Sequence, residues 1–253
     1  MEWIMKTRLL FVAAAALTVS ACGYSVMDAA EDISGSDNGL ANGTKISTAD
    51  TKIGAFTEIE GVGPDNIIYV VGDTFSIKAE GNDEALATLR YKLEEGSLRI
   101  GRTKGQWFGD SAKAAKITVT APFLDKAAMA GSGDFTADAM TADGLDLSIA
   151  GSGNIKVGAL TGKKLDVSIA GSGEATLAGK VDKAEYSIAG AGTVDAAKLA
   201  TTDAEVSIAG SGDLKLNATG AVEVSIAGSG DVEVTGGAKC TTSKMGSGNV
   251  TCS

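Results

Sequence analysis

The sequence has no histidine, and its 253 residues include only 2 prolines and 3 cysteines. Without histidine it lacks the commonest general base and the commonest metal ligand. Basic residues are outnumbered 22 to 32, for a net charge of -10. That balance excludes nucleic acid as the main partner, because neutralising phosphates takes clustered Lys and Arg. The scarcity of proline rules out a collagen-like chain despite 34 glycines, and a hydrophobic fraction of 44% rules out disorder. Aromatics are only 5%, so a core has to be filled by aliphatic side chains. Glycine is what the chain has in excess, and its placement carries most of the information.

The first segment is an address. Lys6 and Arg8 precede an apolar run from Leu9 to Val19, of signal-peptide length and too short to span a bilayer comfortably. The run closes in Val19-Ser20-Ala21-Cys22, which resembles a bacterial lipobox with Val19 where Leu is commonest. Residues 1–22 are therefore expected to be a lipoprotein signal whose Cys22 is acylated and anchors the chain to a membrane. The competing reading is an ordinary cleaved signal with a chance cysteine. Gly23, not Asp, follows. By resemblance to Gram-negative lipoproteins this implies export to the outer membrane, facing the periplasm or the outside. Residues 23–50 are rich in Gly, Ser, Asn and Asp with weak periodicity, and read as a flexible acidic tether spanning roughly 30 Å.

A Gly-Ser-Gly or Gly-Ala-Gly triplet begins at Gly131, Gly151, Gly171, Gly190, Gly210, Gly228 and Gly246, at spacings of 20, 20, 19, 20, 18 and 18. A period near 20 marks a solenoid. Strand alternation flanks each triplet, as in Leu145, Leu147 and Ile149 before Gly151, or Val222, Val224 and Ile226 before Gly228. Each rung then has two strands, a tight glycine corner and a looser second corner. Ile149, Ile169, Ile188, Ile208 and Ile226 occupy one equivalent position and should stack inside. The expected fold is all-β: a parallel β-helix over 51–253, irregular in 51–125 and regular in 126–253. Before the regular rungs come strands and one short helix, Asp83 to Leu89, with Asn82 or Asp83 near its cap.

The last rung departs from the pattern. Lys244 stands where Ile is expected, as suits a terminal rung with one face open to water. Cys240 and Cys252 lie six residues to either side of Gly246 and point inward by parity. They are expected to form a disulfide worth roughly 3 kcal/mol in the chain-entropy model; two free thiols or a metal pair are the alternatives.

Outward by parity stands a column of acids: Asp146, Asp166, Glu185, Glu205 and Glu223. At ladder spacing such a column repels itself unless cations screen it. It is either a stripe for a divalent cation or a glycan, or a solvated face that deters association. No metal site or cofactor is assigned. Gly-Ser-Gly-Asp is like half of a calcium-binding nonapeptide, but the period is twice too long and the doubled Gly is missing. The triplets also lack the nucleotide-loop context. Residues 101–110 (Gly-Arg-Thr-Lys-Gly-Gln-Trp-Phe-Gly-Asp), with Arg99 just before them, gather Arg99, Arg102 and Lys104 beside Trp107 and Phe108. This basic aromatic loop is either a grip for an anionic glycan or a hairpin tip folded over the end of the rod.

From about residue 53 the sequence resembles the bacterial envelope family of putative auto-transporter adhesins with a head GIN domain. The resemblance rests on Phe56-Thr-Glu-Ile59, Ile77-Lys-Ala-Glu-Gly-Asn82, Gly96-Ser-Leu-Arg-Ile100 and Ile117-Thr-Val-Thr-Ala-Pro122, followed by the glycine rungs. The Gly-Ile-Asn triplet itself is replaced by Gly-Ser-Gly-Asp or Gly-Ser-Gly-Asn. The resemblance implies a parallel β-helix with no established catalytic residues. The expected function is a lipid-anchored envelope module for adhesion or structure, non-enzymatic, contacting a glycan or a surface protein. The alternative is a β-helical polysaccharide lyase or hydrolase acting on acidic glycans. Against it, the repeat contains no Arg and no His, and its acids form a uniform column where a catalytic site would interrupt the repeat.

Overall fold

The computed structural model describes residues 39–103 and 113–253. Cys22, the rest of segment 1–38, Lys104, Trp107 and Phe108 lie outside the described residues. In chain order the strands are β1 (Thr44–Lys45), β2 (Thr51–Lys52), β3 (Glu58–Gly63), β4 (Asn66–Val71) and β5 (Ser76–Glu80), then helix α1 (Asp83–Thr88), β6 (Leu89–Glu94), β7 (Ser97–Arg102) and β8 (Lys116–Ala121). The regular part follows with β9 (Lys126–Gly131), β10 (Asp134–Thr141), β11 (Gly144–Gly151), β12 (Asn154–Gly171), β13 (Glu174–Gly190), β14 (Thr193–Gly210), β15 (Asp213–Ala218), β16 (Ala221–Gly228), β17 (Val232–Thr235), β18 (Lys239–Gly246) and β19 (Val250–Cys252).

These strands coil into a parallel β-helix with two walls. One wall stacks β3, β9, β11 and the second halves of β12, β13 and β14, then β16 and β18. The other stacks β8, β4, β10, the first halves of β12 to β14, then β15, β17 and β19. Alternation along each strand sends every second side chain inward. The five isoleucines at 149, 169, 188, 208 and 226 pair in exact register and are each buried. Burying such a side chain contributes about 1.5–3 kcal/mol, and the rod repeats that gain at every inward position.

The two corners differ in kind. At the tight corner the first glycine of every triplet has a positive φ, from +126° to +142°. Its carbonyl accepts the N–H of the residue after the next rung's first glycine: Ser152 to Gly131 at 2.9 Å, Ser211 to Gly190 at 2.8 Å. The corners thus carry their own ladder, as buried backbone polar groups require. One of the two prolines, Pro64, occupies this donor position in the rung of Gly63 and Asp65. The corner ladder begins one rung up, where the Ser132 N–H donates to the Gly63 carbonyl at 3.2 Å, so Pro64 stands at the ladder's end, where a residue without an N–H is tolerated best. The second corner bends within continuous strands and absorbs differing rung lengths as register shifts, at 157/160, 176/178 and 196/200.

The N-terminal third is stacked out of chain order. The rung of β7 and β8 lies beneath that of β3 and β4, while β9 and β10 lie above it. Antiparallel strands then close this end: β6 on β7, β1 on β6, β5 on β8 and β2 on β5. Helix α1 is capped by Asn82, whose side chain accepts from the Ala85 N–H at 2.7 Å. Of the tether expected over 23–50, the structure describes residues 39–50. From Gly39 the chain packs on the domain, with Leu40 and Ile46 buried and Thr44–Lys45 paired to Arg90–Tyr91. Two isolated apolar residues in a polar stretch produce no periodicity, yet both fill the edge of a core built by distant strands.

The other end is closed by the last rung. Thr242 and Lys244 stack on the inward residues Val224 and Ile226, and Lys244 Nζ donates to the Gly248 carbonyl at 3.0 Å. Cys240 stacks on Val222 and Cys252 on Val234, and a disulfide joins them across the rod. Replacing both by Ser removes a cross-link of sequence separation 12, worth about 3 kcal/mol. In a nearest-neighbour stack the loss stays local. Hydrogen exchange should show β18 and β19 losing protection while β12 to β14 keep theirs; uniform loss along the rod would refute this. Within the regular rungs a polar pair, Tyr186 and Thr201, enters the interior. Tyr186 and Thr201 are buried with hydroxyls that lack a well-formed partner, and burial raises the tyrosine pKa far above its usual value.

Candidate functional site

The five acids stand in consecutive register on the outer side of the first wall, Asp146 to Asp166 to Glu185 to Glu205 to Glu223. Thr241 ends the column on the C-terminal side, and Lys126 then Glu58 continue it on the N-terminal side. Lysines supply part of the screening. Lys164 Nζ lies 3.0 Å from Asp166 and 4.0 Å from Glu185, and Lys126 Nζ lies 3.9 Å from Asp146. The contact with Asp166, by hydrogen bond and charge, raises the Lys164 pKa. Beside the acids run columns of Ser (148, 168, 187, 207, 225) and Ala (150, 170, 189, 209, 227), so this face is flat and small-chained. Among the described residues no group of three His, Cys, Asp or Glu is placed to hold a metal ion.

Two carboxyls of the column are perturbed upward. Burial is the main cause at Asp146, offset by Lys126 and reinforced by Asp166; burial is again the main cause at Glu58. A folded-state pKa above the unfolded value means that ionisation opposes folding at neutral pH. The opposition vanishes as pH falls through that raised value and then the unfolded one. Asp146→Asn is therefore expected to be more stable than the parent at pH 7, the difference shrinking toward about pH 4. Urea unfolding at the two pH values checks this, and a variant less stable at pH 7 would contradict it.

Of the residues expected to form the basic aromatic loop, Arg99 and Arg102 are among those described. Arg102 is wholly buried: its Nε donates to Asp65 Oδ2 at 2.8 Å and its Nη2 to Asp65 Oδ1 at 2.6 Å. Arg99 Nε donates to Glu60 Oε2 at 2.7 Å and is only partly exposed. Each guanidinium is paired with a carboxylate 37 or 39 positions away in sequence, and that of Arg102 is removed from solvent. Lys104, Trp107 and Phe108 lie outside the described residues.

A groove of about 780 Å³ opens where the acid column meets the N-terminal end. Its floor is Glu58 and Glu60 of β3, Ser97 and Arg99 of β7, and Lys126 of β9; its rim is Lys92, Glu94 and Glu95. The rim is the β6–β7 hairpin, whose two turn residues both have positive φ, Glu95 at 50° and Gly96 at 84°. This is the twist that a two-residue hairpin needs. Lys92 pairs with Glu94 at 2.9 Å and Arg99 with Glu60. The sequence reading overlooked this groove. The turn signal was Glu95-Gly96 between alternating strands, but the concavity needs β3, β7 and β9 side by side.

A second ladder was also overlooked. The residue after each triplet is often Asp or Asn, and its side chain accepts the backbone N–H one rung on: Asn154 to Asp134 at 3.2 Å, Asp231 to Asp213 at 3.0 Å, Asn249 to Asp231 at 2.9 Å. The Gly-Ser-Gly-Asp motif is thus a corner brace.

A family model described as putative auto-transporter adhesin, head GIN domain, matches residues 55–238. Among solved structures, a putative adhesin from Bacteroides fragilis is similar with a TM-score of 0.75 and 28% identity, over 81% of this chain and 95% of that one. A putative lipid binding protein from Parabacteroides distasonis has a TM-score of 0.65 and 25% identity, over 83% and 98%. A putative adhesin from Parabacteroides merdae, 21% identical with a TM-score of 0.65 over 83% and 96%, shares the fold. No curated protein matches the chain.

Proposed function

The chain belongs to the family of putative auto-transporter adhesins with a head GIN domain, and from that membership we propose that it is a non-enzymatic, adhesin-like binding module of the cell envelope, anchored by a lipid on Cys22 and contacting a glycan or a surface protein. The observation that supports this reading best is the uniformity of the first wall's outer face. Acid, serine and alanine each keep one column through five rungs. Periodic faces suit extended contact, whereas catalysis needs a singular arrangement of acid, base and charge stabiliser. A polysaccharide lyase or hydrolase would also need a cation over its substrate, and the buried Asp65–Arg102 pair takes one of the few arginines out of consideration. The groove is lined by charged side chains and one serine, which suits polar ligands better than hydrocarbon chains.

Among the described residues no helix is long and apolar enough to cross a membrane; the reading of a lipid on Cys22 is supported by the lipobox-like Val19-Ser20-Ala21-Cys22. Cys22→Ser should move the protein from the membrane to the soluble fraction. A screen of glycans and surface proteins, with and without calcium, tests the binding reading. Saturable binding supports it, and turnover of pectin- or alginate-like polymers overturns it.

A further inference from the structure

We infer that the C-terminal end of the rod is a surface that fits a second copy of this chain, tail to tail, and that Lys244 is the residue that keeps two copies apart. The inference concerns association of the chain with itself and holds whichever ligand the module binds. The two ends of the rod are finished differently. The N-terminal end closes in β1 and β2, two residues each, and so short an edge offers little for another chain to pair with. The C-terminal end stops at β18, eight residues long, and at β19. Among the described residues β18 pairs with β16 alone and β19 with β17 alone. The Lys239 N–H donates back to the Gly220 carbonyl at 2.8 Å, and the Ser247 N–H to the Gly228 carbonyl at 2.9 Å. Backbone groups alternate in direction along a strand, so the odd-numbered residues of β18 serve the rung behind. The N–H and C=O groups of Cys240, Thr242 and Lys244 face away from it, and these are the groups that strand addition uses. No parallel edge remains at the other end, because antiparallel β6 and β5 lie on β7 and β8. Rods therefore do not continue head to tail. What is left is an isologous pair, in which β18 meets β18 of a second copy about a two-fold axis.

The side chains at this end show what stops that pairing. The inward positions of the last rung are Cys240, Thr242 and Lys244 on one wall and Val250 and Cys252 on the other. The two cysteines are joined, so Lys244 is the one charge in the set. It stands in register with Ile226, the last of the buried isoleucine column. Its Nζ reaches across the corner to the Gly248 carbonyl at 3.0 Å, and among the described residues it has no carboxylate partner. Two rods meeting here would enclose two ammonium groups, each with a carbonyl and no counter-ion. In the single rod water reaches both. Desolvating them opposes the contact, and an inward-pointing charge on an edge strand is one of the ways that sheet proteins prevent edge-to-edge pairing. With isoleucine in that place the end would be an uncharged continuation of the core. Met245 beside it, 79% exposed, would then add apolar area to the contact.

The test is the molar mass of the full chain by light scattering over a concentration series, in a Cys22→Ser background that removes the remaining cysteine and any lipid on it. The parent is expected to be monomeric. Lys244→Ile should form a dimer, tightening self-association by at least about a hundredfold, while Lys244→Arg keeps the charge and should stay monomeric. Adding Thr242→Pro to Lys244→Ile removes an N–H that faces away from the rod, a position where an edge strand tolerates proline, and should restore the monomer. Lys156→Ile replaces an exposed lysine of β12 and controls for a general gain in surface hydrophobicity; it should leave the mass unchanged. Thermal melts confirm that each variant is folded. A dimeric parent, a monomeric Lys244→Ile protein, a dimer that survives Thr242→Pro, or equal association of the Lys156→Ile protein each overturns the inference.

Discussion

Alanine in place of Arg102 is expected to lower the free energy of unfolding by about 3–5 kcal/mol. The guanidinium meets Asp65 through two bonds of 2.8 and 2.6 Å and gives a third, at 2.8 Å, to the Lys113 carbonyl. Asp65 Oδ1 also accepts the Ala115 N–H at 2.7 Å. Both side chains are almost entirely removed from water. Their joint removal would be far less costly than breaking the pair, since a lone buried carboxylate has nothing to offset its lost hydration. The double variant Asp65→Leu/Arg102→Met should therefore recover part of the loss, though not all of it, because the bonds to the Lys113 carbonyl and from the Ala115 N–H are lost with the pair. Urea unfolding measures both. A cost below about 1 kcal/mol for Arg102→Ala would mean that the pair is a surface-like contact. The position explains the design. Arg102 follows Gly101, the register partner of Val62, so it stands where a corner glycine would come next. The end rung has a longer connection there, and the ion pair braces it against Asp65 of the rung above.

The second large effect is expected at a tight corner within the stack. Gly171→Ala should destabilise on the order of 3–5 kcal/mol. Two causes act together. Its φ of +126° is one that L-residues rarely adopt, and the added methyl would land on the Gly151 carbonyl of the adjacent rung. Two other glycines separate these causes. Gly96 has a φ of +84° with open space around it, so Gly96→Ala should cost only about 1 kcal/mol, for conformation alone. Gly144 has neither a positive φ nor a neighbour within 4 Å. There alanine should be neutral or stabilise by up to about 1 kcal/mol, because it restricts the unfolded chain. Equal effects at all three positions would show that general flexibility, not corner geometry, explains the glycine content.

Much of the regular rod is legible in the residue order for a local reason. A corner every 18–20 residues needs glycine at each turn, and a strand buried on one face needs alternation, so period and pleat are written into short windows. The isoleucine column, the lysine at 244 and the pairing of Cys240 with Cys252 follow from counting along that period. The acid column is legible too, but its screening by Lys126 and Lys164 depends on which strands are neighbours. Where the repeat stops, so does legibility. Arg99 and Arg102 looked like part of a basic loop because nothing local reveals Glu60 and Asp65. Leu40 and Ile46 looked like tether because two apolar residues make no pattern.

The sequence by itself therefore determined the rod: its period, its inward columns, its glycine corners and its capped last rung. Those features rest on backbone conformation and on side-chain alternation within one rung, and stacking merely repeats them. Only the tertiary structure decided the order of the first three rungs, the buried Asp65–Arg102 brace and the groove over β3, β7 and β9. Each of these depends on strands that do not repeat, brought side by side across tens of residues. Their pairing is selected by long-range fit, which no single window of the chain contains.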